Sequence, residues 1–260
     1  FLDWVRLGEF DLHHPPASIG MGYMSAVYYR ALVYGAELSD LCGNADRQRL
    51  YSERAASLQE PFQSHLWDEK RGLYRDGLPG VTRVPPAGWL PADSEKPTFT
   101  AHTNVLAIVA GLADRERARA ILRRISQDES LPLMQPYFLH YYFEALVYAD
   151  LYEEYAFSTM RRWHVLLDEH PSSLKERWDG GDYSHAWSAT PAYQLSARVL
   201  GVIPTAPGFA AFAVQPCLGD LDWARGTIPT PQGPVTVSWQ HHNGKLTGTV
   251  QKNQRRTCTH

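Results

Sequence analysis

The chain has 260 residues, a formal net charge of −3, and an ordinary balance of 44% hydrophobic and 20% charged residues. This balance argues against a nucleic-acid footprint, which needs a strongly basic face, and no apolar run approaches the roughly 20 residues of a membrane span. Three cysteines at wide spacing argue against a disulfide framework and against a cysteine zinc site. The 8 Trp and 14 Tyr are typical of a core or of a contact surface for carbohydrate or protein.

The first residues form a loop rich in turn formers. The sequence opens in the middle of a pattern, so we expect the later part of a longer protein. His13 and His14 could be a solvated pair or metal ligands, but the histidine spacing matches no metal motif, and we expect neither a metal nor a cofactor. From Tyr23 to Leu41 apolar residues recur at helical spacing, and Asn44 can cap a second helix.

Residues 67–89 predict a turn, a short extended piece and a long loop. A loop of this length inside a helical domain is usually functional or mobile, and Trp89 at its end is a candidate wall of a substrate pocket. Thr98 or Thr100 can begin the next helix, in which His102 and Asn104 are expected to pack or to cap.

Helical spacing continues to a last helix near residues 190–200, and alternation of apolar and polar residues then predicts strands. The pair Asn243-Gly244 is typical of a tight hairpin turn. This order predicts a mainly α fold. We expect a partial (α/α)6 toroid of helical hairpins over residues 1–203, followed by a small antiparallel β-sandwich over residues 204–260. The predicted helices are too few to close the ring.

Residues 174–187, which we call the candidate loop, combine acidic side chains with two tryptophans, a tyrosine and a histidine. A Gly-Gly pair within them requires the backbone to bend. Carboxylates can move protons, and flat indole faces can stack on the C–H side of a sugar ring. Because loops positioned by a rigid scaffold often carry chemistry, this composition indicates a carbohydrate-cleaving site.

Two motifs of the candidate loop resemble the bacterial α-L-rhamnosidases, glycoside hydrolase family 78. Residues 175–180 are similar to a Trp-Glu-Arg-Trp-Asp stretch of that family, with Lys175 in place of Trp. Residues 184–187 are similar to its Asn-His-aromatic stretch, with Ser184 in place of Asn. Residues 200–239 also resemble its junction between helices and sandwich and its closing hairpin. The resemblance is specific over residues 174–239.

This resemblance implies an inverting hydrolase of terminal α-L-rhamnosides or related deoxy-sugar glycosides, with a carbohydrate partner. The charge balance and the lack of a long apolar run argue against nucleic acid and membrane as partners. An inverting glycosidase uses an acid and a base roughly 6.5–9.5 Å apart. The position of the family's base is Glu176. The family's acid lies in an Asp-Glu-Arg segment that this sequence lacks, so we expect it upstream. Besides Trp89, the expected substrate contacts are Trp178, Asp179, His185 and Trp187.

Each of these residues also has a structural explanation. Glu176 could instead form an ion pair with Arg177 or Lys175. Asp179 could form a turn, and for Asp182 we favour that role over sugar binding. His185 could simply pack.

Of Trp178 and Trp187, we expect one stacking platform and one core residue. Two other functions remain open. A polysaccharide lyase could use Tyr183, His185 and Arg177 as base and cation. A non-catalytic remnant could bind sugar without turnover.

Overall fold

A computed structural model describes residues 2–8, 10–80, 95–242 and 244–252. The chain divides into two compact units, Phe1–Tyr152 and Glu153–His260. Among the described residues, no helix has both the length and the apolar character that crossing a membrane requires.

The first unit consists of helices and two short antiparallel hairpins. In chain order its elements are β1 (Arg6–Leu7), β2 (Phe10–Asp11), α1 (Ala17–Leu41), α2 (Ala45–Leu66), β3 (Trp67–Asp68), β4 (Leu73–Tyr74), α3 (Ala101–Val109), α4 (Arg115–Gln127) and α5 (Leu139–Tyr148). β1 pairs with β2 and β3 pairs with β4.

Helices α1 and α2 pack against each other as a hairpin. The predicted cap at Asn44 is confirmed, because its Oδ1 accepts the backbone N–H of Arg47 at 3.1 Å. α1 begins at Ala17 instead of Tyr23. The first turns of α1 were expected to be loop because turn formers such as Gly20 and Gly22 dominate there, but Ser18, Ile19 and Gly22 are buried in the helix.

Helix α3 carries polar side chains that are sealed from solvent. Asn104 Oδ1 accepts the backbone N–H of Tyr74 at 2.7 Å, and its Nδ2 donates to the carbonyls of Tyr74 and Thr100 at 3.0 and 2.9 Å. His102 Nε2 lies 2.6 Å from Asp3 Oδ2. Both side chains therefore serve packing, as the sequence predicted.

A second buried carboxylate lies at the start of α3. The hydroxyls of Thr100 and Thr103 each lie 2.7 Å from Asp76 Oδ1, so this oxygen accepts from two hydroxyl groups. Thr100 also caps α3 by accepting the backbone N–H of Thr103 at 3.2 Å. Burial raises the pKa of Asp76, and the threonine hydroxyls oppose that rise.

The second unit passes from helices to antiparallel sheets. Its elements are α6 (Tyr152–Arg161), whose first residue belongs to the first unit, α7 (His164–Glu169), α8 (Thr190–Gln194), β5 (Val202–Pro204), β6 (Phe212–Val214), β7 (Trp223–Ile228), β8 (Val235–His242) and β9 (Lys245–Lys252). A π-helical turn, Leu195–Val199, extends α8.

β5 pairs with β6, and β8 lies between β7 and β9. His242 pairs with Lys245, so the predicted hairpin is confirmed. Val235 and Val237 are fully buried, as the alternation predicted. The predicted class, a mainly α chain of helical hairpins followed by small antiparallel sheets, is confirmed. The domain boundary between residues 203 and 204 stays a prediction.

Candidate functional site

The candidate loop joins α7 to α8 and folds back on itself. The backbone N–H of Glu176 donates to the carbonyl of Asp182 at 3.1 Å, and the N–H of His185 donates to that of Leu174 at 3.1 Å. These bonds hold two arms of the loop side by side. Glu176 lies on the first arm and His185 on the second.

Gly181 allows the second arm to close against Glu176. Its φ is +86°, in the left-handed region that favours glycine. A Cβ added at this position would lie 2.6 Å from Glu176 Cβ and 2.8 Å from its Oε2. The predicted bend at the Gly-Gly pair therefore has a second function, because it leaves room for the Glu176 side chain.

The Glu176 carboxylate lies beside His185. Its Oε1 is 3.8 Å from His185 Nε2, and the two side chains are 17% and 27% exposed, respectively. This separation exceeds a direct hydrogen bond. One oxygen atom of a water or a sugar hydroxyl can nevertheless lie within hydrogen-bonding distance of both groups.

The two tryptophans of the loop lie in different surroundings. Trp178 is partly buried, with its ring edge-on to Trp163 at 4.9 Å between centroids and with the Arg162 guanidinium 4.8 Å from its centroid. Trp187 is 46% exposed and lies edge-on to His185 at 5.1 Å. Trp178 is therefore the more covered of the two rings, and the roles of one stacking platform and one core residue stay a prediction.

The remaining predicted contacts are more scattered. The Asp179 side chain is 81% exposed, and its Oδ1 is 3.8 Å from Arg177 Nε. Trp89 lies outside the described residues. The structure therefore brings Glu176, His185 and Trp187 together and leaves Asp179 at the exposed tip.

Sequence reasoning missed two residues that hold the loop. Ser188 is fully buried, and its hydroxyl donates to the carbonyl of Lys175. Glu169, the last residue of α7, contacts the Lys175 ammonium. The contact becomes understandable only once α7 is known to end at Glu169, because an anion at a helix C-terminus is unfavourable unless a cation compensates it.

The contact between Glu169 and Lys175 also changes their acidity. The hydrogen bond from Lys175 is the main cause that lowers the pKa of the Glu169 carboxyl. The same bond raises the pKa of the Lys175 ammonium. Both side chains are therefore held in their charged forms.

This chain is similar to bacterial alpha-L-rhamnosidases in both sequence and structure. Residues 201–252 match the family model described as the bacterial alpha-L-rhamnosidase C-terminal domain. The solved structure of the GH78 family rhamnosidase of Bacillus sp. GL1 is similar to this chain with a TM-score of 0.77 and 25% identity. That similarity covers 96% of this chain and 26% of the other.

Two curated proteins are similar over shorter stretches. The alpha-L-rhamnosidase of Alteromonas sp. (strain LOR) is 31% identical over an alignment of 107 positions, and the match covers 36% of this chain and 11% of that protein. The N,N'-diacetylchitobiose phosphorylase of Vibrio proteolyticus is 28% identical over 117 residues, which are 45% of this chain and 14% of that protein. The chain thus spans a small part of these relatives. The predicted resemblance to the bacterial α-L-rhamnosidases is confirmed.

Proposed function

We propose that this chain is part of a glycoside hydrolase that removes a terminal α-L-rhamnose, or a related deoxy-sugar, with inversion. Glu176 is the general base. The general acid comes from a segment that this sequence does not contain. Similarity to the rhamnosidases supports the class of reaction, and the surroundings of Glu176 support its role.

Inversion requires that water attack the sugar from the face opposite the leaving group. In the proposed reaction the water lies to one side of the line that joins Glu176 Oε1 to His185 Nε2, which are 3.8 Å apart, and within hydrogen-bonding distance of both atoms. The carboxylate takes the proton of this water while the acid protonates the leaving oxygen. The two carboxyl groups are then roughly 6.5–9.5 Å apart, to leave room for the water.

The substrate contacts follow from exposure and chemistry. The exposed face of Trp187 stacks on the apolar side of the sugar. His185 and Asp179 bind hydroxyl groups, since a carboxylate can accept several hydrogen bonds. Trp89 completes the proposed set, whereas Trp178, packed against Trp163, is the structural residue of the two loop tryptophans. The single observation that carries the proposal is the pairing of a largely buried Glu176 with His185 beside an exposed indole.

The test is Glu176→Gln in the full-length protein, with Asp182→Asn as the matched control on the same loop. The substrate is nitrophenyl α-L-rhamnoside. Loss of a general base lowers kcat by about 10²- to 10⁴-fold, while KM stays within about threefold because glutamine keeps the shape and one oxygen. Asp182→Asn keeps the activity, because the backbone carbonyl of Asp182 makes the observed bond.

Two outcomes contradict this assignment. Unchanged turnover in Glu176→Gln refutes the base. Proton NMR of the first product refutes inversion if the sugar initially keeps the anomeric configuration of the substrate.

Similarity to the chitobiose phosphorylase supports a second candidate, a phosphorylase in which phosphate replaces water as the attacking group. Turnover that requires inorganic phosphate and yields a sugar phosphate favours that candidate. The lyase alternative predicts an ultraviolet-absorbing unsaturated product from uronate polymers. A remnant that only binds sugar predicts binding of rhamnose without turnover in any of these assays.

A further inference from the structure

Both arms of the candidate loop converge on one carboxylate. Glu169 Oε1 contacts the ammonium of Lys175 on the first arm, and it accepts the hydroxyl of Tyr183 on the second arm at 3.2 Å. Lys175 immediately precedes Glu176, and Tyr183 follows Asp182, whose carbonyl accepts the Glu176 N–H. These contacts link Glu169 to the residues next to both partners of the hydrogen bond between the Glu176 N–H and the Asp182 carbonyl.

Lys175 and Tyr183, one from each arm, also contact each other. The Lys175 ammonium lies 5.1 Å from the centroid of the Tyr183 ring, within the range of a cation–π interaction. The Lys175 side chain is only 17% exposed although Glu169 is 47% exposed. A lysine that is so covered is held in one place, because its usual freedom in solvent is lost.

The place of Glu169 in α7 makes the lysine necessary. The end of a helix carries a partial negative charge, and Glu169 adds a full negative charge at the last residue of α7. Lys175 compensates both.

We propose that Glu169 is a positioning residue: by holding Lys175 and Tyr183 it fixes the two arms of the loop and keeps the Glu176 carboxylate beside His185. The effect on turnover rests on the proposed function of Glu176. The effect of Glu169 on the position of the loop does not depend on that function, because it follows from the contacts alone. The effect on the loop and the effect on turnover can therefore be tested separately.

The test of the loop is amide hydrogen exchange in the 260-residue chain, measured at the N–H groups of Glu176 and His185. Glu169→Gln is expected to speed exchange at both by about threefold to tenfold, since a partly exposed ion pair and one arm's anchor are weakened. Asp168→Asn, one residue earlier on the exposed side of α7, is the matched control and leaves exchange unchanged.

Swapping the two charged residues isolates the contribution of the ion pair. Glu169→Lys or Lys175→Glu alone is expected to speed amide hydrogen exchange. The double variant restores the attraction with the charges reversed, so amide hydrogen exchange returns toward the wild-type rate. Tyr183→Phe deletes only the hydroxyl and gives a smaller increase than Glu169→Gln. This milder variant decides the question if Glu169→Gln does not fold. Unchanged exchange in both Glu169→Gln and Tyr183→Phe overturns the proposal.

Turnover in the full-length protein then tests the link to Glu176. A displaced base lowers kcat by about 10- to 100-fold in Glu169→Gln with little change in KM, since small misplacements are costly in catalysis. If Glu176→Gln keeps its activity while Glu169→Gln speeds amide hydrogen exchange, then Glu176 is not the base, but Glu169 still positions the loop. If Glu176→Gln is inactive and amide hydrogen exchange is unchanged in Glu169→Gln, then Glu176 is the base and Glu169 does not position the loop.

Discussion

In the first unit the polar side chains of α3 are fully buried, whereas those of the candidate loop in the second unit remain partly exposed. Asn104 uses its three observed hydrogen bonds to hold the backbone of β4 and the start of α3. Glu176 Oε1 instead lies 3.8 Å from His185 Nε2, and the Glu176 side chain is 17% exposed. Burial and three hydrogen bonds therefore indicate a structural role for Asn104, whereas partial exposure leaves the Glu176 carboxylate accessible from solvent, as its proposed role requires.

The largest expected effect on stability comes from removing the buried amide of Asn104. Asn104→Ala leaves the N–H and carbonyl of Tyr74 and the carbonyl of Thr100 without their amide partner inside the protein. Each unsatisfied buried group costs about 1–3 kcal/mol, so the free energy of unfolding is expected to fall by about 3–5 kcal/mol. Urea unfolding of the chain measures this change.

The control for this prediction is Asn44→Ala, which removes an exposed cap with one observed bond. Its expected cost is about 1 kcal/mol. A loss in Asn104→Ala no greater than that of Asn44→Ala would show that the buried amide contributes no more than a surface cap.

A smaller effect is expected at the candidate loop. Gly181→Ala combines a strained φ of +86° with a Cβ that would lie 2.8 Å from Glu176 Oε2. The expected cost is about 1–3 kcal/mol in the stability of the loop. Under the proposed function kcat falls more than KM, because the carboxylate is displaced. Hydrogen exchange and turnover in the full-length protein measure the two effects.

Gly180→Ala is the matched neighbour. Its Cβ would meet only the Nη2 end of Arg177, at 2.9 Å, which can swing aside. Equal losses in both alanine variants would mean that the closeness of Gly181 to Glu176 has no special importance.

The smallest expected effect is a change of the free energy of unfolding with pH, caused by the buried Asp76 carboxyl group. Because burial raises its pKa, the folded state holds this proton more tightly than the unfolded state. The unfolding free energy therefore falls as the pH rises from the unfolded pKa, about 3.9, through the raised folded value, and the loss is complete above it. Asp76→Asn keeps an oxygen for both threonine hydroxyls and lacks this component.

Unfolding of wild type and Asp76→Asn at a series of pH values from about 4 to 8 gives the difference between the two curves. The wild type should lose stability relative to the variant as the pH rises. Curves that stay parallel across the series would contradict the burial argument.

Local signals made much of this fold predictable. The caps at Asn44 and Thr100 each accept a backbone N–H from only three residues later, so both hydrogen bonds could be predicted from a short stretch of sequence. The buried alternation of Val235 and Val237 is equally local. The candidate loop was found for the same reason, since its acids and aromatics are neighbours in the chain.

Contacts between distant residues had no such signal. His102 and Asp3 are 99 positions apart, and nothing in the spacing of either indicates the other. The burial of Trp178 against Trp163 likewise depends on how α7 and the loop meet. Glu169 was missed although it is only six residues from Lys175, because its meaning depends on where α7 ends.

The last strand has a practical consequence for handling the protein. β9 bonds to β8 along one side, its other side bonds to no strand among the described residues, and seven of its eight residues are exposed. Such an edge can template the addition of another chain. Lys245 and Lys252 at its two ends repel a second copy, and salt screens that repulsion. Concentrated stocks are therefore expected to stay monodisperse longest in buffers of low ionic strength.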